Sequence, residues 1–338
     1  MPTDARFVSQ SELKTFRRCR RKWWLLNIRR LEFDYPPSPG HRRLGTIVHA
    51  GLEAYYAPLT YPNEPKDAYD RVQALHDEDS AKITAWCHEH AELSGGDPQL
   101  MASAKLESLA KETDLALIML QGYFDWLEES AVDALLRPTH VEQEIEVPFT
   151  EHYGREWHLV GKLDLRAVRE DNGFTAFLDH KTVANLTDIP KQAAQNEQGL
   201  MYNVLLRLLT GEHVDGEIIN MLRKVKRTST AKPPFYGRHE VRWNSHQLNS
   251  FYERITGLVR EMALAEAQIA AGWSHQQVAP PNPTGDCSWD CDFYAVCGMF
   301  DDGSRVEDAL ANHYRVHDPL ARYKVLHQET ETEGTPDA

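Results

Sequence analysis

Residues Phe177–Thr182 read FLDHKT, which puts Asp179 and Lys181 two positions apart at the end of an apolar run. Alternate side chains on a β-strand share a face, so a strand here carries the carboxylate and the ammonium into the same space. The run before it, EWHLVGKLDLRAV at 156–168, also alternates, with Trp157, Leu159, Leu163 and Leu165 on one face and His158, Lys162, Asp164 and Arg166 on the other. The turn signal EDNG joins these two runs, and VEQEIEVPF at 141–149 alternates upstream of both. Three consecutive antiparallel strands are the simplest reading, and they bring Asp164 beside Asp179. Two carboxylates at that range repel each other unless a proton or a divalent cation sits between them. Lys181 adds a donor able to hold or activate a water beside such a cation.

The 338-residue chain, 41% hydrophobic and 26% charged, has an ordinary globular composition. No apolar run is long enough to cross a bilayer, and the start MPTDARFVSQSELK lacks the apolar stretch of a secretory signal. The expectation is a cytoplasmic chain with no membrane partner. A formal charge of −14 argues against coating nucleic acid through the overall field. Basic groups are instead concentrated in RRCRRKWWLLNIRR from Arg17, in HRR at 41–43 and in RKVKR at Arg223–Arg227. Each cluster reads either as a solvated face or as a set of phosphate contacts. Residues 326–338, ending HQETETEGTPDA, read as an acidic disordered tail.

SQSE at Ser9–Glu12 offers a capping box, after which Phe16, Cys19, Trp23 and Leu26 recur at helical spacing. LGTIVHAGLEAYY is a second helical pattern, with His49 and Glu53 four apart on one face. From Tyr61 to Leu136 the chain reads as helical around the loop LSGGDPQ, in the manner of an inserted helical cap. Beyond the three strands, KQAAQNEQGLMYNVLLRLL reads as a helix, GEIINMLRKV as a strand and 244–271 as a long helix. Singly, His49 reads as a core or surface histidine, Glu53 as a helix-face partner, Tyr202 as a core aromatic and Gln198 as a surface amide.

In order along the chain, SELKTFRRCRRKWWL, GTIVHAGLE, VGKLDL, FLDHKT and QGLMY resemble the motifs of the PD-(D/E)XK nuclease superfamily. The resemblance is to its RecB-like branch, which includes CRISPR-associated RecB-like exonucleases and similar phage proteins, and it spans most of the chain. It implies an α/β, restriction-endonuclease-like core: a central mixed β-sheet flanked by helices, with a helical insertion and a cysteine metal-cluster region joining the N- and C-terminal parts. It also implies that Asp164 and Asp179 are metal ligands, joined by His49 from its helix and the backbone carbonyl of His180. Lys181 would be the catalytic lysine, and Gln198 and Tyr202 would face the active site and the DNA strand. Mg²⁺ suits the oxygen ligands and an imidazole makes Mn²⁺ equally suitable, with one or two metals left open. Residues 1–325 are expected as one elaborated domain: N-terminal helices at 1–60, the insertion at 61–136, the catalytic core at 137–245, and the long helix and cysteine loop at 246–300.

Five cysteines are few for a disulfide scaffold. Cys287, Cys291 and Cys297 crowd together after PPNPTGD, which reads as a metal loop, because three close thiols without a ligand are open to oxidation. Tetrahedral binding needs a fourth ligand, and Cys19 is the candidate. One cysteine near the start and three near the end resemble the iron–sulfur arrangement of some RecB-like nucleases, which implies a 4Fe–4S cluster. Zinc is the alternative, since four thiolates suit it too. Cys87 reads as a free thiol and His88 and His90 as a solvated helix face.

The expected function is a metal-dependent DNA exonuclease of recombination, repair or phage DNA processing, acting on DNA with single-stranded ends. The alternative is a DNA-binding assembly subunit, of the CRISPR spacer-acquisition kind, with weak or no nuclease activity of its own. A weaker third reading is a zinc protein that binds a protein partner. No GxxxxGKS or GxxxxGKT loop occurs, so ATP-driven unwinding would need a recombination or helicase partner.

Overall fold

The alternating runs assemble into a six-stranded mixed sheet. The computed structural model describes residues 5–34, 41–94, 97–212 and 214–323. The chain begins with β1 (Arg6–Ser9), α1 (Gln10–Arg18), α2 (Arg20–Trp23), a π turn at Trp24–Ile28 and β2 (Leu31–Phe33). Three helices follow, α3 (His41–Tyr55), α4 (Pro65–Ser94) and α5 (Pro98–Ser130), and then β3 (Leu136–His152), β4 (Arg155–Arg169) and β5 (Thr175–Val183). Next come α6 (Asp188–Gln192), α7 (Glu197–Thr210), β6 (Gly216–Arg223), β7 (Tyr236–Val241) and the long α8 (Ser245–Ala270). The C-terminal part holds α9 (His275–Val278), α10 (Cys287–Asp290), α11 (Tyr294–Cys297), α12 (Val306–His313) and β8 (Tyr314–Val316), the last paired antiparallel with β2.

Strand β4 organises the sheet. One of its edges pairs antiparallel with β3 from Leu136↔Arg169 to His152↔Arg155. The other edge is shared: β1 runs parallel to Trp157–Val160, and β5 runs antiparallel to Leu165–Val168. Between them, Gly161–Asp164 has no strand partner on that edge among the described residues. The register Leu165↔Leu178 sets Asp164 across from Asp179 at the point where β4 and β5 part. Beyond β5, β6 pairs parallel and β7 closes the sheet antiparallel.

Apolar groups cover both faces, so the sheet is flanked by helices as expected. On one side Phe16, Phe177, Met201, Leu205, Phe251 and Ile255 join α1, α7 and α8 to the sheet. On the other, Val48, Leu52, Met119 and Leu120 of α3 and α5 pack on Leu165 and Leu178. The expected cap is therefore a layer of the core, which is why its helices run 30 and 33 residues. A smaller cluster of Leu25, Phe293, Val296, Leu310 and Tyr314 ties the N-terminal segment to the C-terminal helices.

Several local readings are corrected. The first helix is not continuous: it ends at Arg18 and restarts after Cys19, whose φ is −158°. The capping box is half made, because Ser9 accepts from the Glu12 amide while the Glu12 side chain turns inward to Arg6 and the Trp23 indole. Leu25, not Leu26, is the buried residue, and Arg21 is buried too, paired with Asp301 at 2.6 Å. The KQAAQ segment is not part of α7: it forms the end of α6 and a 3-10 turn, and Asn196 starts the longer helix. His90 is not free on a solvated face, since its ring stacks 3.8 Å from that of Trp86 and its Nε2 lies 3.2 Å from Asp34. Neither the cluster that starts at Arg17 nor the one at Arg223–Arg227 is simply solvated. Arg17 meets Glu197 at 2.7 Å, Arg20 meets Glu261 at 2.8 Å and Arg29 meets Glu307 at 2.7 Å, while Arg227 lies over Phe235 at 3.8 Å. The tail at 326–338 lies outside the described residues.

Candidate active site

Strand β5 delivers three groups in succession at its parting from β4. Asp179, 2% exposed, meets the Lys181 ammonium at 2.7 Å through Oδ2, yet that oxygen accepts no well-directed hydrogen bond. The His180 amide donates to Asp164 Oδ2 at 2.8 Å, which stitches the two strands together where the ladder ends. The His180 carbonyl lies 2.7 Å from His49 Nε2, and His49 Nδ1 lies 3.4 Å from Asp164 Oδ1. His49 thus reaches from α3 to Asp164 and the His180 carbonyl, whereas Asp179, turned toward Lys181, is not among the described ligand groups whose atoms all lie within 4.8 Å of one another.

Helix α7 supplies the opposite wall. The Asn196 side chain caps it by accepting from the Gln198 amide, which fixes the first turn that carries Gln198. Gln198 Oε1 accepts from the Lys181 ammonium at 2.8 Å, while its Nε2 donates to the Tyr202 hydroxyl at 3.0 Å and lies 3.4 Å from Asp179 Oδ1. This close approach of helix to sheet needs Gly161: a Cβ there would lie 2.5 Å from Leu205 Cδ1 and 3.4 Å from Tyr202 Cε1. Beneath the helix start, Asn196 Nδ2 donates to both oxygens of Glu217, at 3.0 and 3.1 Å, and Glu217 is fully buried.

Burial and neighbouring charge polarise these groups. Burial raises the Asp179 carboxyl, and Asp164 pushes it the same way against the pull of Lys181. For Asp164 burial works against ionisation, but His49 outweighs it and holds the carboxyl at about 2. Burial likewise works against charge on His49, yet Asp164 lifts that imidazole to about 9. Burial drops His180 to about 3, and burial is outweighed at Lys181 by Asp179, which keeps the ammonium above its ordinary value. Positive charge is therefore drawn to the point where the Asp164 carboxylate and the His180 carbonyl converge, the electrostatic demand that a divalent cation meets.

One acidic residue at this point was not read from the sequence. Among the described residues, His49, Glu142 and Asp164 offer ligand atoms all within 4.8 Å of one another. Counting back from the hairpin pair His152↔Arg155 would set Gln143 opposite Asp164, but a register shift between Pro148 and Thr150 moves Glu142 there instead. Glu142 adopts φ +48° and pairs with Lys162 at 2.8 Å, and burial raises its carboxyl. Glu53 lies close enough to act electrostatically on both Glu142 and Lys162. The donor set of imidazole, carboxylates and carbonyl suits a hard or borderline cation.

A family model of the PD-(D/E)XK nuclease superfamily matches residues 8–298. The chain belongs to that superfamily. Its members are nucleases that act on nucleic acids and use divalent metals such as Mg²⁺ or Mn²⁺. No curated protein matches the chain. In this PD-(D/E)XK nuclease a cavity of about 1220 Å³ opens beside Lys181 and Tyr202, with Lys14, Arg17, Arg254 and Arg322 among the residues lining it. Among the described residues, no helix is long and apolar enough to cross a membrane.

The nuclease also gathers its separated cysteines. Burial raises the Cys291 thiol, with Cys19 and Cys287 adding to the effect, and burial and Cys19 act the same way on Cys297. Four thiols from the two ends of the chain thus share one electrostatic neighbourhood, although no three of their sulfurs, all among the described residues, lie within 4.8 Å of one another. Arg21 donates to the Cys297 carbonyl at 3.1 Å and Lys22 to the Asp290 carbonyl at 3.0 Å, which docks α2 against the cysteine loop. Cys87 lies apart, fully buried among the α3–α5 side chains.

Proposed function

We propose that this nuclease is a metal-dependent DNA exonuclease of the RecB-like kind, folded as one elaborated domain over residues 1–325 and working in the cytoplasm. The observation that carries the reading is the Lys181 ammonium held between Asp179 and Gln198, next to Asp164 and at the wall of a cavity rimmed by basic side chains. His49, Asp164, Asp179 and the His180 carbonyl would hold Mg²⁺ or Mn²⁺, with Glu142 in reach. When bound, the cation supplies Lewis acidity at the scissile phosphate. Lys181 orients the attacking water and offsets charge that develops on the phosphoryl oxygens. Gln198 keeps Lys181 from collapsing wholly onto Asp179, and Tyr202 braces Gln198. Lys14, Arg17, Arg254 and Arg322 would meet the phosphates of a strand that lies in the cavity.

The cysteines support a second bound group. Cys19, Cys287, Cys291 and Cys297 would hold a 4Fe–4S cluster with a structural role, zinc being the alternative ligand of four thiolates.

The test is cleavage of end-labelled linear DNA, single- and double-stranded, beside circular DNA, by anaerobically prepared protein with Mg²⁺, Mn²⁺ or EDTA. Metal-dependent release of label from linear DNA alone, absent in Asp179→Ala, is the expected result. Cutting of circles would replace the exonuclease reading with an endonuclease. DNA binding without cleavage would leave an assembly subunit, such as one serving spacer acquisition or a recombination or helicase partner.

A further inference from the structure

Behind His180, on the side of α3 and α5, lies a buried polar chain that the proposed chemistry does not use. Asn220 Nδ2 bonds His180 Nδ1 at 2.9 Å and donates to the Tyr123 hydroxyl at 3.0 Å. Asn220 Oδ1 accepts from Arg238 Nε at 3.1 Å. The same guanidinium donates to the Tyr123 hydroxyl at 3.0 Å and the Tyr56 hydroxyl at 3.1 Å, and it pairs with Asp133. Tyr56 donates to Asp133 at 2.6 Å, and its ring stacks 5.6 Å from the His180 imidazole. Tyr56, Tyr123 and Asn220 are fully buried, and His180 is 4% exposed.

The chemistry of the two ends fixes every bond between them. A guanidinium only donates, so the amide oxygen of Asn220 must face Arg238 and its NH₂ must face His180. His180 Nδ1 must then accept, which leaves the ring proton on Nε2 and one orientation for the imidazole. Asp133, which accepts from both Arg238 and Tyr56, anchors the far end.

We infer that the Asp133–Arg238–Asn220 relay positions His180, so that its backbone carbonyl stays turned toward His49 and the cation. Asn220 and Arg238 are then positioning residues, and the helical layer of α3 and α5 takes part in the site through Tyr56, Tyr123 and the turn at Asp133. This inference rests on the reading of the His180 carbonyl as a cation ligand. Partners that orient a ligand are typically worth 10- to 100-fold in metal affinity.

The experiment titrates Mn²⁺ into metal-free active sites of the full-length wild type, His180→Phe and Asn220→Leu by calorimetry, and records melting temperatures alongside. His180→Phe keeps a ring on Tyr56 and removes the Nδ1 acceptor together with the Nε2 proton while leaving Asn220 and Arg238 in place, so it reports even where the loss at Asn220 unfolds the protein. The relay predicts Mn²⁺ affinity weakened about tenfold or more in each folded variant. A matching rise in the Mg²⁺ needed for half-maximal cleavage, with the rate restored at high Mg²⁺, would support it further. Affinity within about twofold of wild type in His180→Phe, whatever its melting temperature, would overturn the relay. Wild type that binds no Mn²⁺ would overturn the cation-site reading, and the relay with it.

Discussion

Lys181 is the residue on which the chemistry turns, because it touches both a buried carboxylate and the amide that reaches Tyr202. Lys181→Met is expected to lower cleavage by about 10²- to 10⁴-fold while the protein still folds, a loss typical of a removed proton-handling group. A variant with wild-type rates would show that the ammonium serves the fold alone. Glu217 makes a separate prediction. Burial, aided by Asp179, pushes this carboxyl up to about 8 from an ordinary 4.5. A folded-state value above the unfolded one means that its contribution to stability is whole below about pH 4.5 and is lost as pH rises through about 8. In EDTA, the wild type is therefore expected to lose melting temperature across that window relative to Glu217→Gln, and parallel curves for the two proteins would refute it. Asp164, Asp179 and Lys181 were brought together in the sequence by the strand period, whereas His49 entered only through the family resemblance, since its helix spacing alone marks no site. Glu142 and Glu217 were not legible there, since a register shift decides the first and burial beneath a helix the second.

Among the elements, α7 is packed tightly against the sheet. A Cβ on Gly199 would lie 2.4 Å from Glu217 Oε2 and 2.5 Å from the Trp243 ring, so the helix sits as close to β6 as a hydrogen atom allows. Gly199→Ala is expected to cost about 1–3 kcal/mol by overpacking and to lower cleavage as well, because the displaced turn carries Gln198. Unchanged denaturant midpoint and activity would argue that the helix has slack. The long elements, β3 to β6 and α8, were legible from their periods. The four-residue β1, the three-residue β2 and β8, and the six-residue β7 were not, because runs so short hold their conformation through the partner strand rather than through their own pattern.

At the scale of the molecule, the two chain ends form one wall. Arg21, Lys22 and Cys19 dock on the cysteine loop, and the small apolar cluster around Leu25 and Phe293 seals the contact. Loss of the group proposed for the four cysteines should loosen α1, which lines the cavity, as well as the loop itself. Anaerobically prepared Cys291→Ser is expected to lose most of its iron or zinc and to melt about 5 °C or more lower, whereas full metal content with full stability would refute the role. Many of the basic residues near the N-terminus are matched by acids far along the chain, so the first basic cluster carries less unpaired positive charge than its residue count suggests. The divided edge of β4 has one more consequence. An ordinary strand frays at its ends and guards its middle, but here the backbone between Val160 and Leu165 has no strand partner on one side among the described residues while both flanks are laced in. Amide protons on that side should trade with deuterated water faster at the strand's centre than at its tips, a protection profile turned inside out, and a guest that seats itself in the gap should restore the usual order.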